Sequence, residues 1–214
     1  MTNKLFLYLC ICCSIFSSVS FAKELNMLDF LKSLEPTMKK INVSLDNNSL
    51  EYVSLSYNPT KRNLNYKNLE FKTYGDNKIS KKGYVVVRIR NLSDSKQNKI
   101  FLFDPKTYIL IASANMVNAD VPNLKKIPKF SIEDFIDVIY KFNNYLIENK
   151  YNKDFGLDAK YLESLGISKD YKNIELMFSY DYSWDWLDSL RFGAIYIFEM
   201  DLLNMKFKKR EFYK

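Results

Sequence analysis

Histidine is absent from this chain of 214 residues, and cysteine is confined to its start. The cysteines, Cys10, Cys12 and Cys13, lie in a segment that we expect to be cleaved off. Without His or a retained Cys, Ser-His-Asp and Cys-His nucleophilic catalysis are excluded. Zinc and copper sites built from imidazole or thiolate are excluded as well. Carboxylate chemistry, a Ser-Lys pair and oxygen-ligated metals remain, and we expect a protein that is not an enzyme.

Glycine is also scarce, with five residues that never cluster. A phosphate-binding loop needs a glycine-rich run, so no such loop is predicted. Three aspartates near the C-terminus, Asp181, Asp185 and Asp188, lack the alternating oxygen ligands, the central Gly and the terminal Glu of an EF-hand loop. We therefore expect no cofactor, no metal site and no catalytic residue.

The first 22 residues have the pattern of a secretory signal peptide. Lys4 precedes an apolar run that ends at Phe16, and small residues follow up to Ala22. A membrane anchor is the alternative, but a spanning helix needs about 20 apolar residues. We expect cleavage near Ala22 and a periplasmic or secreted bacterial protein. The remaining 192 of 214 residues contain no Cys, so their core must stabilise the fold without disulfides.

Arginine is rare, and the net charge of +7 comes mainly from dispersed lysines. Loss of Lys4 with the signal peptide lowers this charge to +6. Outside the cytoplasm we expect no nucleic-acid partner. The charge is compatible with a protein partner in the cell envelope, a cell-wall glycan or an anionic membrane surface. A role of the lysines in solubility alone is the plainer alternative.

Residues 23–117 predict a helix followed by strands. Apolar residues recur at helical spacing over residues 24–35, and Pro36 is expected to stop or kink the helix. Short alternating runs then predict five consecutive strands that pair as an antiparallel meander. These strands cover residues 50–57, 69–74, 84–90, 100–103 and 108–116.

Residues 118–214 predict a connector, helices and further antiparallel strands. Ser131 and Asp134 form a near capping box before a long helix over residues 132–149. A short helix over residues 159–165, with Asp158 as N-cap, is expected to end at Gly166. Strands are predicted over residues 174–182, 194–201 and 205–213. The class is α+β: antiparallel meander sheets packed by one long and two shorter helices, in one compact domain.

Two similar halves are a further expectation. Each half begins with a helix, and each ends in strands joined by an Asp-x-x-(Thr/Asn) turn, at Asp104 and at Asp201. The simpler alternative is that both are common hairpin turns.

The clearest pattern in the chain spans residues 173–186, where apolar or aromatic residues occupy every even position. It predicts a strand, then a bend that carries Trp184 and Trp186 away from the sheet. Aromatic rings beside paired carboxylates are typical of sugar binding or glycoside hydrolysis. Strand alternation alone produces the same order, with the tyrosines in the core and the aspartates in solvent. The candidate binding residues are Tyr180, Asp181, Tyr182, Trp184, Asp185, Trp186, Asp188 and Arg191.

Our leading hypothesis is an exported, non-enzymatic binding protein of the bacterial envelope. Inhibitors, immunity proteins, accessory subunits and secreted factors all fit this description. Trp184 and Trp186 are the expected contact residues, because exposed tryptophans commonly anchor interfaces. The alternative is a protein that binds cell-wall glycan, or cleaves it with carboxylates such as Asp181, Asp185 and Asp188.

Overall fold

A computed structural model describes residues 25–43, 48–56, 69–75, 83–93, 98–116, 128–183 and 191–213. It confirms the α+β class: helices pack on a nine-stranded antiparallel sheet. The helices are α1 (Met27–Lys40), α2 (Ile132–Glu148) and α3 (Tyr151–Asp154), and a 3₁₀ turn covers Ala159–Tyr161. The strands are β1 (Asn48–Ser56), β2 (Lys72–Thr73), β3 (Tyr84–Asn91), β4 (Lys99–Phe103), β5 (Leu110–Asn115), β6 (Ser164–Ile167), β7 (Asn173–Ser183), β8 (Arg191–Asp201) and β9 (Phe207–Tyr213). The predicted signal peptide, residues 1–22, lies outside the described residues.

The strand order is β2-β5-β4-β3-β1-β6-β7-β8-β9. A helix precedes each of two four-stranded meanders, β1-β3-β4-β5 after α1 and β6-β7-β8-β9 after α2. The meanders join where β1 pairs with β6 in antiparallel orientation, so that Tyr52 lies opposite Gly166. The topology thus repeats in two halves, and the first strand of one half pairs with the first strand of the other.

The two aspartate turns also match in detail. The Oδ1 of Asp104 accepts from the backbone N–H groups two and three residues further on, and the Oδ1 of Asp201 does the same. Each turn closes with a residue of positive φ, Tyr108 at 57° and Met205 at 56°. That residue donates its N–H to the aspartate carbonyl, over 2.9 Å and 2.8 Å. The expected Asp-x-x-(Thr/Asn) turns are therefore both present, and they join corresponding strands of the two halves.

The main core lies between the sheet and the two longer helices, on what we call the helix face. Phe30, Leu34 and Met38 of α1 and Phe142 and Leu146 of α2 are buried there. A smaller cluster lies on the opposite side, the second face, over β3, β4 and β5. The sheet therefore carries apolar contacts on both faces in its first half, and the corresponding strands alternate little.

Of the two effects expected at Pro36, a stop or a kink, the stop is wrong, because α1 continues to Lys40. Proline removes one backbone donor to the carbonyl four residues earlier, which costs a helix ~3 kcal/mol. The apolar stripe continues past it, and Met38 is fully buried. The Thr37 hydroxyl also donates to the carbonyl of Ser33 over 2.9 Å. Tertiary burial therefore outweighs the local penalty.

The expected pairing of five consecutive strands is also wrong at β2. This strand has only two residues, and it pairs with β5 at the outer edge of the sheet, so β1 pairs directly with β3. Leu69 and Phe71, which precede and flank β2, pack against the smaller cluster on the second face. Local alternation predicts that a segment is extended, but the choice of its neighbour depends on packing partners distant in the sequence.

The long helix, its capping box and the later strands are confirmed, but the helix expected over residues 159–165 is not. Asp158 does cap a turn, accepting from the Lys160 N–H over 3.1 Å, and this turn is 3₁₀ and ends at Tyr161. Gly166 then lies inside β6. A Cβ on Gly166 would lie 2.5 Å from Cδ2 of Tyr52. Glycine is thus needed here for close approach of the Tyr52 ring.

Candidate functional site

A two-stranded extension of the sheet contains the residues that the sequence singled out. β7 and β8 pair continuously from Asn173–Asp201 to Ser183–Arg191. β6 accompanies β7 only as far as Met177, and β9 accompanies β8 only as far as Ile195. Beyond these points no third strand among the described residues pairs with the hairpin. We call this extension, residues 180–183 and 191–194, the arm.

The predicted residues all fall on this one hairpin. Tyr180, Asp181 and Tyr182 lie in the β7 side of the arm, opposite Ala194, Gly193 and Phe192, and Arg191 lies opposite Ser183. Trp184, Asp185, Trp186 and Asp188 belong to the connection between β7 and β8, and they lie outside the described residues, as does the predicted bend. Four residues of strand span ~13 Å, so the arm extends well past its flanking strands.

The base of the arm is fixed by an aromatic cluster in the main core. Phe178, two residues before the arm, is buried, and its ring stacks on Phe142 of α2 with centroids 6.0 Å apart. Phe142 also contacts Phe198 of β8 and Phe207 of β9, at 5.0 Å and 5.3 Å. Aromatic pairs of this kind stabilise a fold beyond the free energy gained by burying their apolar area. The arm is therefore a thin structure on a rigid base.

The Asp and Glu side chains of the described residues form no group of three or more suited to a metal ion. No helix within the described ranges has the length and apolar character needed to cross a membrane.

A second cluster was missed by the sequence interpretation. Arg88 and Arg90 lie on the second face of β3, close to Glu51, Tyr52 and Tyr171. The signal was available, because two of only five arginines occupy alternate positions of a strand that is otherwise apolar from Tyr84 to Ile89. Charged residues are almost never fully buried unless paired, yet the Arg90 side chain is 0% exposed.

Comparisons with known proteins give no match: no family model fits the sequence, and no curated protein and no solved structure is significantly similar to it.

Proposed function

We propose that this protein is an exported, non-enzymatic binding protein of the bacterial envelope, and that it contacts a protein partner through the arm and the connection at its tip. The observation that carries the proposal is the arm itself. It contains Tyr180 and Tyr182 and lacks flanking strands among the described residues, and Trp184 and Trp186 follow it directly in the sequence.

Three physical arguments support a contact role. An isolated two-stranded hairpin is marginally stable in water, so an extension of this kind gains from a covering partner. A strand without a neighbour also presents backbone donors and acceptors, which an extended segment of a partner uses in β-augmentation. Tryptophan and tyrosine are also residue types that dominate binding free energy at interfaces, and residues 180–186 contain two of each.

Export is part of the proposal, since the first 22 residues have the features of a signal peptide and the remainder has no Cys. The lack of His excludes the common nucleophilic mechanisms, and this favours a binding protein over an enzyme. Inhibitors, immunity proteins, accessory subunits and secreted factors act in this way.

A protein that binds cell-wall glycan, or cleaves it, is the second candidate. The hairpin that carries the aromatic residues also contains Asp181, Asp185 and Asp188, and sugar sites combine such groups. This candidate predicts that purified protein sediments with sacculi, and that Asp→Asn changes at these positions abolish binding or cleavage. Unchanged behaviour of all three variants would eliminate it.

The test is capture of the tagged protein from its own cell, exported through its own first 22 residues and cross-linked before lysis. Recovery of one protein in near-stoichiometric amount supports the proposal. Recovery of sacculus fragments alone contradicts it and favours the glycan candidate.

A further inference from the structure

The arginine cluster on the second face differs from its surroundings on the same strand. Tyr84 and Val86 occupy the second face of β3 and are buried in the smaller apolar cluster. Arg88 and Arg90 follow on the same face of the strand. Arg88 lies opposite Tyr52, and Arg90 lies opposite Ser49. The face therefore changes from apolar to doubly cationic within one strand, at the centre of the sheet.

Arg90 has too few partners for a buried guanidinium. Its Nη2 donates to the Pro128 carbonyl over 3.2 Å, and its Cζ lies 5.1 Å from the ring centre of Tyr171. Its Nε is 3.4 Å from Glu51 Oε1, within ion-pair range but without hydrogen-bond geometry. Nε and Nη1 are buried and have no hydrogen-bond partner among the described residues. Arginine carries five N–H donors, and leaving buried donors unpaired is unfavourable.

Arg88 adds a second positive charge beside the first. Its Cζ lies 5.7 Å from the ring centre of Tyr52, and its Nε is buried without a partner among the described residues. Glu51, at the bulge in β1, is the carboxylate that faces the two arginines. Burial raises the pKa of Glu51, while Arg90 and Arg88 act to lower it. The described side chains of the cluster thus carry two cations and at most one anion.

Arg210, on the second face of the other half, shows the contrasting case. Its Nη1 lies 2.9 Å from Glu199 and 3.3 Å from Glu175, so one arginine has two carboxylate neighbours. Lys208 also contacts Glu199 over 3.1 Å. Two carboxylates balance two cations there, whereas the described neighbours of Arg88 and Arg90 leave an excess of positive charge and unpaired N–H donors.

We propose that Arg88 and Arg90 form a binding site for an oxyanion, a carboxylate or a phosphate group, on the second face of the sheet. Guanidinium groups bind both kinds of oxyanion through paired N–H donors. Arg88 and Glu51 are partly exposed, and Glu51 retains 16% of its side-chain exposure, so an anion approaches past these two residues. The rings of Tyr52 and Tyr171 flank the guanidinium groups. The site is separate from the arm, and it does not depend on the function proposed for the arm.

The test measures thermal unfolding against increasing sodium phosphate or sodium acetate, with sodium chloride added to keep the ionic strength constant. We expect a saturable rise in the unfolding midpoint with at least one of the two anions. A response to phosphate alone identifies a phosphate site, and a response to acetate alone identifies a carboxylate site. No saturable response to either anion would overturn the proposal.

Three variants separate binding from a purely structural role. R88Q removes a partly exposed arginine and should weaken anion binding about tenfold or more. This is the factor expected for loss of a charge-assisted hydrogen bond. R210Q is the matched control and should leave anion affinity unchanged. E51Q removes the competing carboxylate and should strengthen binding several-fold, whereas a structural ion pair alone predicts no anion response. Unchanged affinity in R88Q, or weaker affinity in E51Q, would contradict the site.

Discussion

Replacement of Gly166 by alanine tests the junction at which the two halves of the sheet meet. A Cβ at this position would lie 2.5 Å from Cδ2 and 3.4 Å from Cε2 of the Tyr52 ring, and 3.2 Å from the Glu51 carbonyl oxygen. Overpacking of this kind costs ~1–3 kcal/mol. For a chain of this size, that loss lowers the unfolding midpoint by roughly 2–12 °C. Urea unfolding of the Gly166→Ala protein, followed by far-UV circular dichroism, measures the free-energy change.

A double-mutant cycle with Tyr52→Ala isolates the cause. Once the ring is removed, most of the cost of alanine at 166 should disappear. The remaining approach, 3.2 Å to the Glu51 carbonyl oxygen, is milder, and a strand favours alanine over glycine by up to ~1 kcal/mol. If Gly166 instead ended a helix in a left-handed conformation, alanine at 166 would destabilise the protein both with Tyr52 and with Tyr52→Ala. Equal destabilisation with and without Tyr52, or no destabilisation in either, would refute the close contact.

Three further predictions concern the core, the helix cap and alkaline pH. Phe142→Ala should lower the free energy of unfolding by ~3–5 kcal/mol because the ring is fully buried. Ile147→Ala, at an exposed position of α2, should change the free energy of unfolding in urea by less than ~0.5 kcal/mol. Both hydrogen bonds of the capping box of α2 are formed. Ser131→Ala should therefore lower the free energy of unfolding by ~1 kcal/mol and increase amide exchange in the first turn of α2. Unchanged exchange would contradict this. Burial raises the pKa of Tyr84 to about 12. The unfolded chain therefore loses this proton first, so stability to urea should fall between about pH 10 and pH 12, and Tyr84→Phe should reduce that fall.

Elements with strong local signals could be predicted from the sequence. The α2 helix combines an apolar stripe with Ser131 and Asp134 at its start, and both features act within a few residues of each other. β7 is likewise predicted from the alternation of its sequence, which covers its whole length. The candidate binding residues lie on the hairpin of β7 and β8 because they are neighbours in the sequence, and their role in binding stays a prediction.

The remaining features depend on contacts between distant residues. The proline in α1 is tolerated because Met38 reaches the core. Gly166 lies in a strand because β6 pairs with β1 and with β7. The edge position of β2 depends on packing against β3, β4 and β5. The arginine cluster needs Glu51 and Tyr52 of β1 and Tyr171 from the connection between β6 and β7. Both segments are distant from β3 in the sequence, so no local pattern predicts that they meet the arginines.

The most direct test of binding through the arm is the cross-linked capture yield of a Trp184→Ser/Trp186→Ser variant. Leu203→Ser is the matched control, because Leu203 is 95% exposed in the β8–β9 turn, beyond the end of β8 that is distant from the arm. We predict that the wild-type and Leu203→Ser proteins recover the same partner in near-stoichiometric amount, and that the double tryptophan variant, equally exported and folded, recovers little of it. Equal recovery by all three proteins would contradict binding through the arm.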